Sequence, residues 1–394
     1  ALTKDIGNVC VAFEILGPNE KPPVGWFKAS GHIVFDVKMD FTRKARRVKD
    51  GHKTPDSVTP SFAGVVSRES IRIALTYAAL MGLPVIGADI RNAYLQAPSS
   101  EKHYIICGPE FGIENEGCVG IIRRALYGGK VAGRDFWHHL RDCMGHLGFS
   151  SSRGDPDVWM RLSKRTSTGE AYYEYVLLYV DDVLVISERA EKVLRTEIGQ
   201  HFVLREESIG KPTNYLGGKL REVTLDNGTT AWAFGSCQYV QSAVKNVEEY
   251  LASKGEKLPY KAPTPLSSGY RPEIDVSPEL GGEEASYFHS LIGVLRWIVE
   301  LGRADMDCEV SMMSSHLALP RVGHLKEVFH MFAYLKAHSN TELVFDPTPV
   351  DFDRNLFERQ DWSYSPYGYE GLSETLPEGM PTPHGPSMTI RVYV

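Results

Sequence analysis

Apolar positions change their spacing several times along the chain, and each change predicts an element. In SRESIRIALTYAALMG, Ile71, Ala74, Leu75 and Ala78 recur at helical spacing, and Ser67 followed by Glu69 and Ser70 supplies a start signal. LPVIGADI is a short apolar run that ends in a carboxylate, as a buried strand would. RDFWHHLRDCMGHLGF reads as an amphipathic helix closed near Gly148. YYEYVLLYVDDVLVIS has two β-branched and aromatic arms around an acidic centre, which predicts a hairpin with Asp-Asp at its turn. Beyond residue 232 helix dominates: QYVQSAVKNVEEYLASKG ends at Gly255, a loop rich in Pro and Gly follows, and two more helical runs cover Ser286–Arg303 and His324–His338. From Asp346 the chain is rich in Pro, Tyr and acid and closes on the strand-like TIRVYV, a strand with nothing after it to pair with. Strands first and helices later predict an α+β fold with a helical appendage.

Composition narrows the classes. With 394 residues the chain is long enough for two or three structural units, and 42 % apolar with 24 % charged residues is ordinary for a globular protein. The longest nearly uncharged stretch, Ala74 to Ala88, is too short to span a bilayer, so no membrane partner is expected. The start, ALTKDIGN, has neither a secretory signal nor an initiator methionine, which suggests a processed product or a fragment. Six scattered cysteines without a CxxC pair predict neither a disulfide framework nor a zinc knuckle, and favour a reducing compartment. The net charge of −7 hides a segregation: seven basic and two acidic residues lie between Lys38 and Lys53, three basic and seven acidic between 347 and 394. A local basic groove therefore remains compatible with an acidic chain.

The strongest chemical signal is Tyr179-Val180-Asp181-Asp182. Two adjacent carboxylates between buried-looking arms are costly unless something neutralises them. A hard divalent cation with oxygen ligands would do so; a solvated β-turn is the plain alternative. Asp89 ends a second apolar run and could be a helix cap, but if the two strands are neighbours it lies beside Asp181 and Asp182. Carboxylates grouped in this way can hold two Mg²⁺ ions for in-line displacement at phosphorus.

Taken in order, FDVKMDFTRKARRVKDGH, GADIRNAYLQAP, RALYGGKVAGRDFW, YVLLYVDDVLVIS and YLGGKL resemble the reverse transcriptase of copia-type LTR retrotransposons (Pseudoviridae). SYFHSLIGVLRWI, LGRADMD and FAYLKAHSN are similar to that family's segment leading toward ribonuclease H, so the resemblance covers roughly residues 9 to 345. VKMDFTRKAR and DPDVWMR look closest to elements of diatoms and other marine eukaryotes.

The resemblance implies a right-hand polymerase. Residues 1–80 would be the N-terminal part of the fingers, 81–225 the palm with an interleaved fingers segment at about 100–135, and 226–345 the helical thumb and connection. Residues 346–394 would be a linker and the first strand of a truncated ribonuclease H domain, without that domain's activity. The implied activity is RNA-directed DNA synthesis, a nucleotidyl transfer from dNTP to a primer 3′-OH that depends on Mg²⁺, with Mn²⁺ as an alternative. Partners would be an RNA or DNA template with its primer, dNTP, and the rest of a Gag-Pol polyprotein with integrase and ribonuclease H. The implied location is the cytoplasm, within virus-like particles, with the nucleus as an alternative.

By resemblance, Asp89 and Asp181 would bind both metals, the Ile90 carbonyl would add an oxygen ligand, and Asp182 would support the site. Tyr94 matches the aromatic beneath the sugar of the incoming nucleotide, where a ring leaves no room for a 2′-hydroxyl; its plain alternative is a packed core tyrosine. Lys38 and Arg46 would grip the triphosphate, with the register among Lys44, Arg46 and Arg47 open. Tyr127, Gly128 and Lys130 would lie against nucleotide and template. Here LYGGKV departs from the family's LYGLKQ, and Gly129 would loosen the start of a helix by up to about 1 kcal/mol. Tyr179 and the hairpin Tyr215-Leu216-Gly217 would steady primer and template. A degenerate copy that binds nucleic acid without polymerising is a second reading, motivated by LYGGKV and the acidic charge. A hydrolase with paired acid and base carboxylates is a third, weakened because Asp181 and Asp182 are adjacent.

Overall fold

The computed structural model describes residues 2–37, 43–57 and 59–348. Lys38 and the TIRVYV strand therefore lie outside the described residues. The described residues divide into two compact units, 2–71 with 83–211, and 72–82 with 212–348. Both mix helix and sheet, so the α+β class expected from the pattern is the one observed.

The first unit is built on a five-stranded antiparallel sheet. Its order is Val85–Asp89, Asp182–Ile186, Ala171–Tyr179, Val158–Lys164 and the short Ser150–Ser151. Val176, Leu178, Val183 and Val185 share one face with Phe136, Leu140 and Met144 of the helix Ala132–His146. Each such side chain contributes about 1.5–3 kcal/mol by leaving water. Leu177, Leu184 and Ile186 alternate to the other face and are buried as well, which explains why these strands read as continuous apolar runs. The helix ends as its sequence predicts, at Gly148 with φ 81°.

A second sheet in this unit pairs Phe13–Ile15, Val119–Ile122 and His103–Ile106, with Phe27–Lys28 added parallel at its edge. The hairpin Gly31–Val37 with Arg43–Lys49 carries most of the basic stretch. Its base is joined to the Tyr127–Gly128 turn: the Lys49 amide donates to the Tyr127 carbonyl at 2.8 Å and the Gly51 amide to the Gly128 carbonyl at 3.1 Å.

The predicted helix around Ile71 runs Arg68–Met81 and stops before Gly82, whose φ is 57°. Ser67 Oγ accepts the Ser70 amide at 3.1 Å, and Asp155 accepts the Ser67 amide at 2.8 Å. Asp155 thus adds a remote carboxylate to the local cap, where the helix dipole favours negative charge.

The second unit holds a four-stranded sheet, Asn214–Tyr215, Gly218–Thr224, Thr230–Gly235 and Glu342–Phe345. Helices Cys237–Ser253, Gly282–Glu300, Asp307–Ser314 and Val322–Ala337 share one apolar core with Val244, Phe288, Leu295, Met313 and Phe332 inside. Among the described residues no helix is long and apolar enough to cross a membrane.

Candidate active site

The two acidic strand ends meet. Val85–Asp89 and Asp182–Ile186 are antiparallel neighbours in a register that makes Asp89 and Asp182 a cross-strand pair. The turn itself is Val180-Asp181, since Tyr179 and Asp182 still pair across the hairpin. The expected Asp-Asp turn is therefore shifted by one residue: Asp181 stands at the tip and Asp182 in the ladder. Val180 takes φ 55°, a left-handed conformation that β-branched residues avoid. The tip is braced from the next strand, because the Ile90 amide donates to the Asp181 carbonyl at 2.7 Å. Ile90 is fully buried, so this brace is shielded from water.

Electrostatics record the crowding. The Asp182 carboxyl is pushed up to about 6, first by burial and then by the charges of Asp181 and Asp89, against the opposing pull of Arg205. Three carboxylates at adjoining strand ends are the oxygen donors a hard divalent cation prefers, and their mutual repulsion is what such an ion would offset. Among the described residues, however, no three acidic, thiol or imidazole side chains converge closely enough to hold an ion as they stand. The donor chemistry fits such an ion.

Asp89 is engaged from its other side by a segment that sequence reading missed. Arg205 Nε lies 3.1 Å from Asp89 Oδ1, and the Arg205 amide donates to the Asp89 carbonyl at 2.9 Å. Ser208 Oγ accepts the Asp89 amide at 2.8 Å and donates to the Arg205 carbonyl at 2.7 Å. Ser208 stands 119 positions from Asp89 in sequence. Neither LREES nor its flanks carries a pattern that announces the contact.

An aromatic and basic group adjoins the acids. The rings of Tyr94 and Tyr127 lie 4.9 Å apart, and the Arg46 guanidinium sits 5.2 Å above the Tyr127 ring. Burial, followed by the Asp181 charge, raises the Tyr94 phenol. Tyr127 is raised chiefly by burial too, with Arg46 pulling the other way. Asn92, at φ 50°, turns the chain from the Asp89 strand into the short helix Ala93–Gln96 that carries Tyr94. The open register in the basic strand now separates: Arg47 pairs with Glu110 and lies over Phe111, while Arg46 extends over Tyr127. The Lys44 side chain lies outside the described residues.

Two residues expected at the nucleotide also make contacts within the chain. Lys130 Nζ donates to Asp56 Oδ1 at 2.8 Å and to the Thr54 carbonyl at 3.0 Å, so it ties a loop. Gly128, at φ 81°, is required because a Cβ there would collide with the Lys49 carbonyl oxygen. Its close approach is to the basic hairpin. Gly129 lies in the turn before the helix, which begins at Ala132, so it does not weaken that helix as expected. Tyr179 is the last residue of its strand. Tyr215, Leu216 and Gly217 belong to the second unit, where Leu216 (φ 49°) and Gly217 (φ 83°) form a tight two-residue turn.

Residues 18–254, more than half of the chain, match the profile of the family described as reverse transcriptase (RNA-dependent DNA polymerase). The chain belongs to this reverse transcriptase family. Among its relatives, the retrovirus-related Pol polyprotein from transposon RE1 of Arabidopsis thaliana is 24 % identical over 302 residues, covering 75 % of this chain and 19 % of that protein. The Pol polyprotein from transposon TNT 1-94 of Nicotiana tabacum is 26 % identical over 327 residues, covering 79 % and 23 %. The chain thus spans about a fifth of the length of these relatives. Both are transposon proteins, in agreement with the copia-type retrotransposon reading of the motifs. A solved foamy viral protease-reverse transcriptase in complex with double-stranded DNA is similar at 11 % identity and TM-score 0.39, over 78 % of this chain and 44 % of that one. The mixed helix-and-sheet architecture of this reverse transcriptase is consistent with the right-hand polymerase fold expected from its motifs.

Proposed function

We propose that the chain is the RNA-directed DNA polymerase of a copia-type Pol polyprotein, a nucleotidyltransferase that extends a primer 3′-OH with dNTP on an RNA or DNA template. The observation that carries this reading is the Asp89–Asp182 cross-strand pair beneath the Asp181 tip, with Tyr94, Tyr127 and Arg46 alongside. Reverse transcriptases generally depend on a divalent metal; here Asp89, Asp181 and Asp182, with the Ile90 carbonyl, would hold Mg²⁺ or Mn²⁺. Such an ion supplies positive charge against the charge that develops in phosphoryl transfer.

The chain's own side chains do the positioning. The Val180 turn aims Asp181 outward, and the Ile90 amide fixes the Asp181 carbonyl behind it. The Tyr94 ring, held by Tyr127, would close the space beside the sugar to a 2′-hydroxyl. Arg46, together with Lys38, would meet the triphosphate, and Arg46 would leave the Tyr127 face to do so. Tyr179, Tyr215, Leu216 and Gly217 would contact primer and template. On this reading residues 1–80 and about 100–135 act as fingers, the rest of 81–225 as palm, and 226–345 as thumb and connection, with 346–394 leading toward ribonuclease H. The rest of a Gag-Pol polyprotein and a cytoplasmic virus-like particle, or the nucleus, would be its surroundings.

The test is dTTP incorporation on oligo(dT)-primed poly(rA) with Mg²⁺. We expect Asp181→Asn to lower incorporation at least about 10³-fold, the scale of losing one essential charge-stabilising group. Wild-type protein that binds primer-template but incorporates nothing would favour the degenerate, binding-only copy.

A further inference from the structure

We propose that Arg205 is a positioning residue that acts as a built-in counter-cation to the Asp89 carboxylate until a divalent ion displaces the guanidinium. The inference rests on the reading of these acids as a metal site. Four observations carry it. Arg205 Nε is 3.1 Å from Asp89 Oδ1. No three-ligand cluster is converged among the described residues. The Arg205 backbone is fixed beside Asp89, since the Arg205 amide bonds to the Asp89 carbonyl and Ser208 joins the two residues by a second bridge. The neighbouring segment is anchored as well, through the Arg91 amide on the Val203 carbonyl at 2.9 Å.

The chemistry suits this role. A guanidinium is permanently charged and weakly hydrated, so it can neutralise a carboxylate without leaving water at great cost. Because Arg205 is 40 % exposed, it can swing into solvent when an ion takes its place. An ion pair of this exposure is worth little enough to be broken by ligand binding. The guanidinium and the ion therefore compete for Asp89, and removal of the competitor should strengthen metal binding while weakening the metal-free fold.

The experiment measures Mn²⁺ binding to the full chain by electron paramagnetic resonance of free Mn²⁺, together with thermal unfolding with and without the ion. Wild type, Arg205→Gln, Arg205→Lys and Asp181→Asn are compared. We expect Arg205→Gln to bind Mn²⁺ about fivefold more tightly, the equivalent of a half-exposed ion pair. It should also unfold at lower temperature without metal and regain the wild-type value with it. Arg205→Lys, which keeps the charge but not the planar donors, should fall between the two and carries the test if the Gln variant does not fold. Affinity in both Arg205 variants equal to or weaker than wild type would overturn the proposal while Asp181→Asn still loses the ion. Undiminished binding by Asp181→Asn would instead remove the metal-site reading, and this proposal with it.

Discussion

Two charged clusters in the first unit differ in how their charges are matched. Around Glu101 the account is balanced: Lys49 Nζ pairs with its carboxylate and lies 2.7 Å from His103 Nδ1, and Lys49 and His103 are nearly inaccessible to water. Burial would raise the Glu101 carboxyl, yet the hydrogen bonds from His103 and Lys49 outweigh it and hold it at about 2. Around Asp89, Asp181 and Asp182 negative charge is in excess. Arg205 is the cation that opposes it at Asp182, and that carboxyl is driven up to about 6. The matched cluster stabilises the fold; the mismatched one stores repulsion that a ligand can relieve. An enzyme surface can thus be told from a buried structural ion pair by its charge deficit as well as by its residue types.

The largest way to break this contrast is Glu101→Gln. It leaves Lys49 buried without its carboxylate, and the expected cost is about 3 kcal/mol at pH 7 in urea unfolding. Because the folded-state pKa of Glu101 lies below its usual 4.5, its stabilisation is complete above about pH 5 and is lost as pH falls toward 2. The Gln variant should therefore show a shallower acid limb. An unchanged limb would mean that Glu101 is not the group whose protonation loosens this region.

Asp182→Asn should act in the opposite direction. With one of three crowded acids neutralised, the metal-free protein should gain about 1 kcal/mol in the same measurement, an amount discounted for solvent screening. A loss of stability would place Asp182 with the matched cluster.

The smallest effect sharpens the contrast at the turn. Val180→Gly frees a residue held at φ 55° and should raise stability by about 1 kcal/mol or less, while primer extension falls because the Asp181 tip is less firmly aimed. Equal or higher activity would show that the strain serves no positioning role.

Much of this was legible beforehand. The helix at Ile71, the helix closed at Gly148 and both acidic strand ends follow from spacing alone, because local periodicity reports directly which face is buried; that the two strands are neighbours entered only as a condition, which their pairing meets. The departures have physical causes of another kind. The turn falls on Val180-Asp181 because ladder pairing continues through Asp182, and no side-chain pattern marks a β-branched residue for a left-handed conformation. The contacts of Lys130 were not legible either, since its partners Thr54 and Asp56 lie more than seventy positions away. Arg205 was silent for the same reason. Contacts distant in sequence decide which charges are matched, and composition does not encode them.

The segment 203–210 that brings Arg205 to the site has one more consequence, for handling the protein in pieces. Val85–Asp89 is the outermost strand of its sheet, with an apolar sequence of the kind that recruits other chains edge to edge. Reciprocal bonds between Gly87 and Gly210, at 2.8 and 3.1 Å, and those to Val203 and Arg205 cap this edge with backbone from the same chain. A fragment that stops short of residue 210 would uncover a sticky strand, so the shortest piece fit for expression has to run past it even though the acids end at Asp182.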